Sequence, residues 1–243
     1  MKKRNLSAKK KTHSFYLDKL NNPIIKKIYL KFRNNLESIN EKKICIAVSG
    51  GPDSMALAFL TKCYSIQKKV NCYYYIVDHK LRKNSTIEAK KVRSILKILK
   101  GKCKILTWRK KEIKKNLQSL ARKKRYSLLI NQCKKDNVKT ILLGHHLEDL
   151  YENFFIRLSR GSGLNGLLSF YEIEKIANGN IKILRPLINN NKKDLIYTAK
   201  KVFNFYVNDP SNHNEQFKRI RLPWTHNWFT FTFPPYKNNF FEI

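Results

Sequence analysis

Chemistry in this chain concentrates in a few short strings. Ser49-Gly50-Gly51-Pro52-Asp53-Ser54 combines hydroxyls, glycines and a carboxylate. Glycine lets the backbone turn sharply and expose its amides, and Pro52 suits a helix first turn, where its missing N–H costs nothing. A strand, a glycine turn and a helix N-terminus together make an anion site. The Ser49 and Ser54 hydroxyls and the amides would hold phosphate, and Asp53 would assist a metal or a reacting phosphoryl group. Gly-Gly alone reads as an ordinary strand-to-helix turn; the whole string after a strand reads as a phosphate loop.

A second string, His145-His146-Leu147-Glu148-Asp149-Leu150-Tyr151-Glu152, follows Gly144 and is rich in acid in a chain with only 17 acidic residues. With a helix starting near His146, the residues His145, Asp149 and Glu152 share one face and point back towards the strand ends. Metal ligation has the right spacing, and an acid-rich helix N-terminus is the plain alternative. A polar pocket for a cationic substrate or Mg-ATP fits better: carboxylates would neutralise an ammonium, and a nearby carboxylate or imidazole could take its proton. Asp78, His79 and Arg82 stand at a strand's C-terminal end, where open α/β sheets bind ligands. Ser85, with Glu88 three residues on, reads as a capping box. Arg122 and Arg125 share a helix face, either solvated or clamping ATP phosphates or RNA backbone. Arg160, Gly161 and the glycines after them read as a helix C-cap and loop, or as a nucleotide or RNA loop. They are not a Rossmann fingerprint, because no strand precedes them.

Alternating elements must position these strings. Apolar runs at 44–48, 72–77, 102–107, 140–144 and 181–184 read as buried strands. Helical periodicity covers 24–39, 54–66, 87–99, 116–133 and 192–203. The alternation excludes all-α and all-β folds. It predicts an α/β fold: a doubly wound, mostly parallel five-stranded sheet with helices on both faces. Residues 1–22 read as a basic, disordered arm, 23–221 as the folded domain, and 222–243 as an atypical hydrophobic tail. The tail holds one lysine, three prolines, five phenylalanines and two tryptophans, which suggests a frameshifted end or one that packs back on the domain.

Among 243 residues Lys and Arg outnumber Asp and Glu 51 to 17, a formal charge of +34, which points to a polyanionic partner, RNA first. Five scattered cysteines without a Cys-x-x-Cys pair suggest reduced thiols and a cytoplasmic location. No apolar run is long enough for a transmembrane helix, so no membrane partner is expected.

The Ser49–Ser54 string resembles the PP-loop of N-type ATP pyrophosphatases. Further blocks resemble the tRNA(Ile)-lysidine synthetase family: Val-Asp-His-x-Leu-Arg at 77–82, Ala-Arg-x-x-Arg-Tyr at 121–126, and His-His-x-x-Asp-x-x-Glu at 145–152. Arg-Gly-Ser-Gly-Leu-x-Gly-Leu at 160–167, Arg-Pro-Leu at 185–187 and Asp-Pro-Ser-Asn at 209–212 complete the set. Glu148, Leu150 and Asn153 depart from the family's usual pattern. The resemblance implies an adenine nucleotide alpha hydrolase-like fold and ATP, as Mg-ATP, bound by Ser49, Gly50, Gly51, Pro52, Asp53, Ser54, Asp78, His79, Gly144, Arg160 and Gly161. It implies chemistry by Asp53, Arg122, His145, Asp149 and Glu152. It implies substrate contacts from Arg82, Arg125, His146, Asp149 and Glu152, with no metal ligated by the protein alone. The implied partners are L-lysine and a CAU-anticodon tRNA(Ile), the implied reaction converts its wobble cytidine to lysidine, and a homodimer would be usual. A PP-loop tRNA sulfur transferase and a non-catalytic basic RNA-binding protein are the alternatives.

Overall fold

A computed structural model describes residues 15–37, 39–82, 84–108, 117–163, 173–176 and 180–208. The proposed tail at 222–243, the block at 209–212 and residues 1–14 of the arm lie outside the described residues. Residues 15–22 do not fit a disordered arm. Residues 15–18 are helical, and Tyr16 is only 2% exposed, its hydroxyl donating to the Ile98 carbonyl. Phe15, Tyr16, Leu17 and Leu20 form an apolar cluster too short to stand out beside the basic residues before it, so by sequence it reads as part of the arm.

Helix α1 (Pro23–Asn34) starts where the Asn22 side chain accepts the Ile24 and Ile25 amides, and it buries Ile25, Ile28, Tyr29 and Phe32 at helical spacing. Strand β1 (Lys43–Val48) leads through the glycine turn into α2 (Pro52–Lys68). Then follow β2 (Asn71–Asp78), α3 (Ser85–Leu96), β3 (Lys102–Thr107), α4 (Leu117–Lys135) and β4 (Thr140–Leu142). Helix α5 (Leu147–Ser159), β5 (Ile173–Ile176), β6 (Ile181–Leu184) and α6 (Lys192–Phe203) complete the described elements.

The sheet order is β3-β2-β1-β4-β6-β5. Five strands are parallel, as expected, and β5 adds an antiparallel edge strand beside β6. The expected sheet thus gains a sixth strand, too short and too charged to stand out in the sequence. Alternate residues feed two cores. Ile44, Ile46, Val48, Tyr74 and Ile76 face α1, α2, α3 and α6, whereas Cys45, Tyr73, Tyr75, Ile141 and Ile183 meet Leu129 and Cys133 of α4. Helices therefore cover both faces. From β1 the chain winds outward through β2 and β3, then returns to place β4 on the other side of β1. The order reverses between β1 and β4, and ligands bind at such a switch point, outside the strand C-termini.

Towards the strands' N-terminal ends, Asp136 accepts from the Tyr75 hydroxyl at 2.5 Å, Gln132 Nε2 at 2.6 Å and Lys104 Nζ at 3.0 Å. Burial pushes its carboxyl up, but these donors outweigh burial and hold it at about 2. Its folded value lies below the unfolded one, so the stability it contributes is present above about pH 4 and lost as pH falls through about 2. Asp136→Ala is expected to cost about 2–3 kcal/mol at pH 7. The loss should shrink towards pH 2, and urea denaturation at both pH values checks this.

Candidate active site

The glycine turn is locked by its own serines. Ser54 Oγ donates to the Gly51 carbonyl at 3.0 Å and accepts the Ser49 amide at 3.2 Å, while the two hydroxyls stand 3.1 Å apart. Ser54 is 6% exposed, so its hydroxyl shapes the loop, leaving Ser49 as the exposed hydroxyl. Gly50 has φ +92, a conformation L side chains rarely adopt, and its carbonyl accepts the Val207 amide at 2.8 Å. Gly51 precedes Pro52 as the N-cap of α2. The first-turn amides of α2 have no acceptor within the helix, and the helix dipole adds positive potential there.

From the other side of the switch point, the segment after β4 closes on this loop. A Cβ at Gly144 would lie 3.1 Å from the Ser54 amide nitrogen and 3.2 Å from the Asp53 carbonyl carbon, so only glycine fits there without displacing backbone. His146 is 3% exposed. Its Nε2 lies 3.8 Å from Asp53 Oδ2 and 3.4 Å from Asp149 Oδ2, and its Nδ1 lies 3.0 Å from Glu148 Oε2. Burial lowers the His146 pKa, but Glu148, Asp149 and Asp53 together raise it above its ordinary value. Both ring nitrogens thus face protein carboxylates. His146 bridges the loop and α5.

Asp149 Oδ2 accepts the His146 amide at 3.0 Å, so this carboxylate caps α5 as well as facing the site. Glu148 accepts the Lys192 amide at 3.0 Å and ties α5 to the start of α6. Burial pushes His145 down to about 4, against the pull of Asp149, with Arg185 and Arg122 lowering it further. His145 is therefore a neutral imidazole at pH 7. Glu152 follows one turn after Asp149 on α5, half-buried.

Asp78 is 2% exposed and accepts the Lys80 amide and the Ser85 and Thr86 hydroxyls at 2.7–3.0 Å. It orders the turn into α3. The expected capping box is absent: Ser85 lies inside the helix and donates to Asp78, while Glu88 pairs with Arg82 at 3.0 Å. A buried carboxylate outcompetes the helix terminus for the hydroxyl. Arg125 Nε donates to His79 Nε2 at 3.3 Å. Arg122 lies over the Tyr126 ring, 5.5 Å from its centroid, and lines a groove along α4 of about 630 Å³.

Gly161 and Arg160 stand apart from this cluster. The Gly161 amide donates to Leu158 O and the Ser162 amide to Arg157 O, both at 3.0 Å, with Gly161 at φ +67: a Schellman cap. Thirteen residues of α5, at 1.5 Å rise each, put them about 20 Å from the His146 end. Of the two readings of this segment, the helix C-cap is the one the described residues show. Conversely, Arg185 and Lys192 were missed. Arg185, at the end of β6, is 4% exposed and its charge acts on His145, while the charge of Lys192 lowers Asp53. A charged residue directly after an apolar strand was the available signal for Arg185.

The residues fit Mg-ATP. Asp53 Oδ1 is buried without a hydrogen-bond partner, beside amides that need an anion. Burial, first among its causes, raises the Asp53 pKa despite the nearby charges of His146 and Lys192. Among the described residues no group of three or more His, Cys, Asp or Glu could hold a metal ion.

The doubly wound sheet, the locked glycine loop and the acid cluster across the switch point define an ATP-binding protein of the PP-loop class. A PP-loop domain family model matches residues 22–224, and the chain belongs to that family. Within it the chain is similar to tRNA(Ile)-lysidine synthases. It is 40% identical over 199 residues to that of Orientia tsutsugamushi (strain Boryong), covering 80% of this chain and 44% of the relative. It is 39% identical over 194 residues to that of Wolbachia pipientis wMel, covering 78% and 44%. The chain thus spans less than half the length of these curated relatives. Among solved structures, a U34-tRNA thiolase from Methanococcus maripaludis shares the fold, with a TM-score of 0.65 at 19% identity over 75% of this chain and 66% of that one. Among the described residues no helix is long and apolar enough to cross a membrane.

Proposed function

We propose that the chain carries the catalytic domain of a tRNA(Ile)-lysidine synthase and joins L-lysine to C2 of the wobble cytidine in a CAU-anticodon tRNA(Ile). The observation that carries this is the meeting of the Asp53 loop with the His145–Glu152 acid cluster, in a chain whose relatives bear that name. The C2 oxygen of the base attacks the α-phosphorus of ATP, and pyrophosphate leaves from that phosphorus. The lysine ε-nitrogen then attacks C2, the C2–O bond breaks, and AMP departs. Magnesium, when bound with ATP, supplies charge neutralisation to the phosphates.

The chain's own groups divide the work. Amides of the Gly50 turn and the start of α2 hold phosphate oxygens, and Asp53 faces them. Asp149 and Glu152 hold the lysine ammonium, and the neutral His145 stands beside Asp149 to receive its proton. Arg122, on the exposed face of α4, contacts the tRNA or a developing negative charge. The +34 charge favours tRNA and makes binding fall steeply with salt.

The test is incubation with the CAU-anticodon tRNA(Ile), ATP and labelled lysine. Label should enter the tRNA with stoichiometric pyrophosphate and AMP. Sulfide-dependent turnover would favour a sulfur transferase, and tRNA binding without pyrophosphate release a non-catalytic RNA-binding protein. Asp149→Asn is expected to raise the lysine KM at least about tenfold, because it removes one charge from the ammonium site. Unchanged lysine saturation would sink the pocket assignment.

A further inference from the structure

We propose that His79 is a positioning residue for Arg125, and that the pair presents a guanidinium to a phosphate oxyanion. The inference rests on the reading that ATP and tRNA are the substrates. Arg125 is exposed and, among the described residues, has no carboxylate partner; the one hydrogen bond it makes there is Nε–H to His79 Nε2 at 3.3 Å. A guanidinium anchored through Nε keeps its Nη groups for another acceptor, and such a fork matches phosphate. The acceptor role requires His79 to be unprotonated at Nε2, which puts the proton on Nδ1, a buried nitrogen with no hydrogen-bond partner among the described residues. Burial, with Arg125 adding to it, pushes His79 down to about 4, so the ring stays neutral at physiological pH. Trp108 meets the ring edge-on at 6.2 Å between centroids.

The geometry therefore changes the role the sequence suggests for His79. Its ring faces Arg125, on α4, from the C-terminal end of β2. Arg122, one turn away on the same helix, adds a second cation beside it. Two sources offer the phosphate, the ATP polyphosphate and the tRNA backbone.

The test is a double-mutant cycle with Arg125→Ala and His79→Phe, reading tRNA affinity at two salt concentrations, ATP affinity, and thermal stability. Each single variant should weaken one of the two ligands by about tenfold, and the double variant should be no weaker than either. His79→Gln, whose amide oxygen can accept the same Nε–H, should restore most of the loss. Loss confined to tRNA, with a salt slope reduced by about one, identifies the backbone; loss confined to ATP identifies the polyphosphate. Additive losses, no rescue by Gln, or no effect from Arg125→Ala would overturn the proposal. Binding is read without lysine transfer, so failure of the ligase reading alone leaves this cycle interpretable. An unaltered protein that binds neither ligand would overturn both.

Discussion

Asp53→Asn is expected to reduce ATP-dependent pyrophosphate release at least about 100-fold while leaving the thermal midpoint unchanged or higher. The two effects have one cause. Burial raises the Asp53 pKa, and Oδ1 is buried without a partner. A carboxyl whose folded pKa lies above its unfolded value gains stability as pH falls towards and below the folded pKa, because the fold then binds the extra proton. At neutral pH its ionised form opposes folding. Asparagine removes that charge, and His146 keeps Glu148 at 3.0 Å and Asp149 at 3.4 Å. The fold should therefore tolerate the change, whereas the phosphate and its magnesium lose their carboxylate. Differential scanning fluorimetry beside a pyrophosphate-release assay separates these outcomes. A midpoint that falls together with activity would make Asp53 a structural residue.

Gly50→Ala should act through the fold. The backbone there sits at φ +92, and a Cβ would stand 2.7 Å from Val92 Cγ2 and 2.9 Å from Val207 Cγ2. Val92 belongs to α3, and the Val207 amide is bonded to the Gly50 carbonyl at 2.8 Å, so the turn cannot move away without breaking that bond. The expected cost is about 3 kcal/mol in urea denaturation, from backbone strain and overpacking together. Adding Val92→Ala should recover part of the stability but little ATP binding, because the positive φ remains. Equal loss in both backgrounds would show that the strain, and not the contact, dominates.

Much of this site is written in consecutive residues. The β1 strand, the Gly50 turn and the Pro52 start of α2 are local, and local propensities specify them. The same holds for the apolar parallel strands, buried on both faces. Individual side chains were less legible. Ser85 had a plausible helix terminus nearby in sequence, but Asp78 lay closer in space. Gly161 had the composition of a nucleotide loop, but its neighbours in space are the last carbonyls of α5. Tyr16 sits in a short apolar cluster with Phe15, Leu17 and Leu20, too short to show a helical period.

By itself the sequence determined the order and kind of the main elements, the glycine loop, and the acid cluster after β4. These follow from periodicity and from residue types a few positions apart. Only the tertiary structure decided that His146 spans Asp53 and Asp149, that Asp78 orders a turn, and that His79 faces Arg125. The reason is the crossover topology. It sets β4 against β1 although some ninety residues separate them, and no local preference encodes that neighbour. The directions in which Asp53, His145 and His146 shift were decided there too, because burial and approaching charges exist only once the strand ends have met.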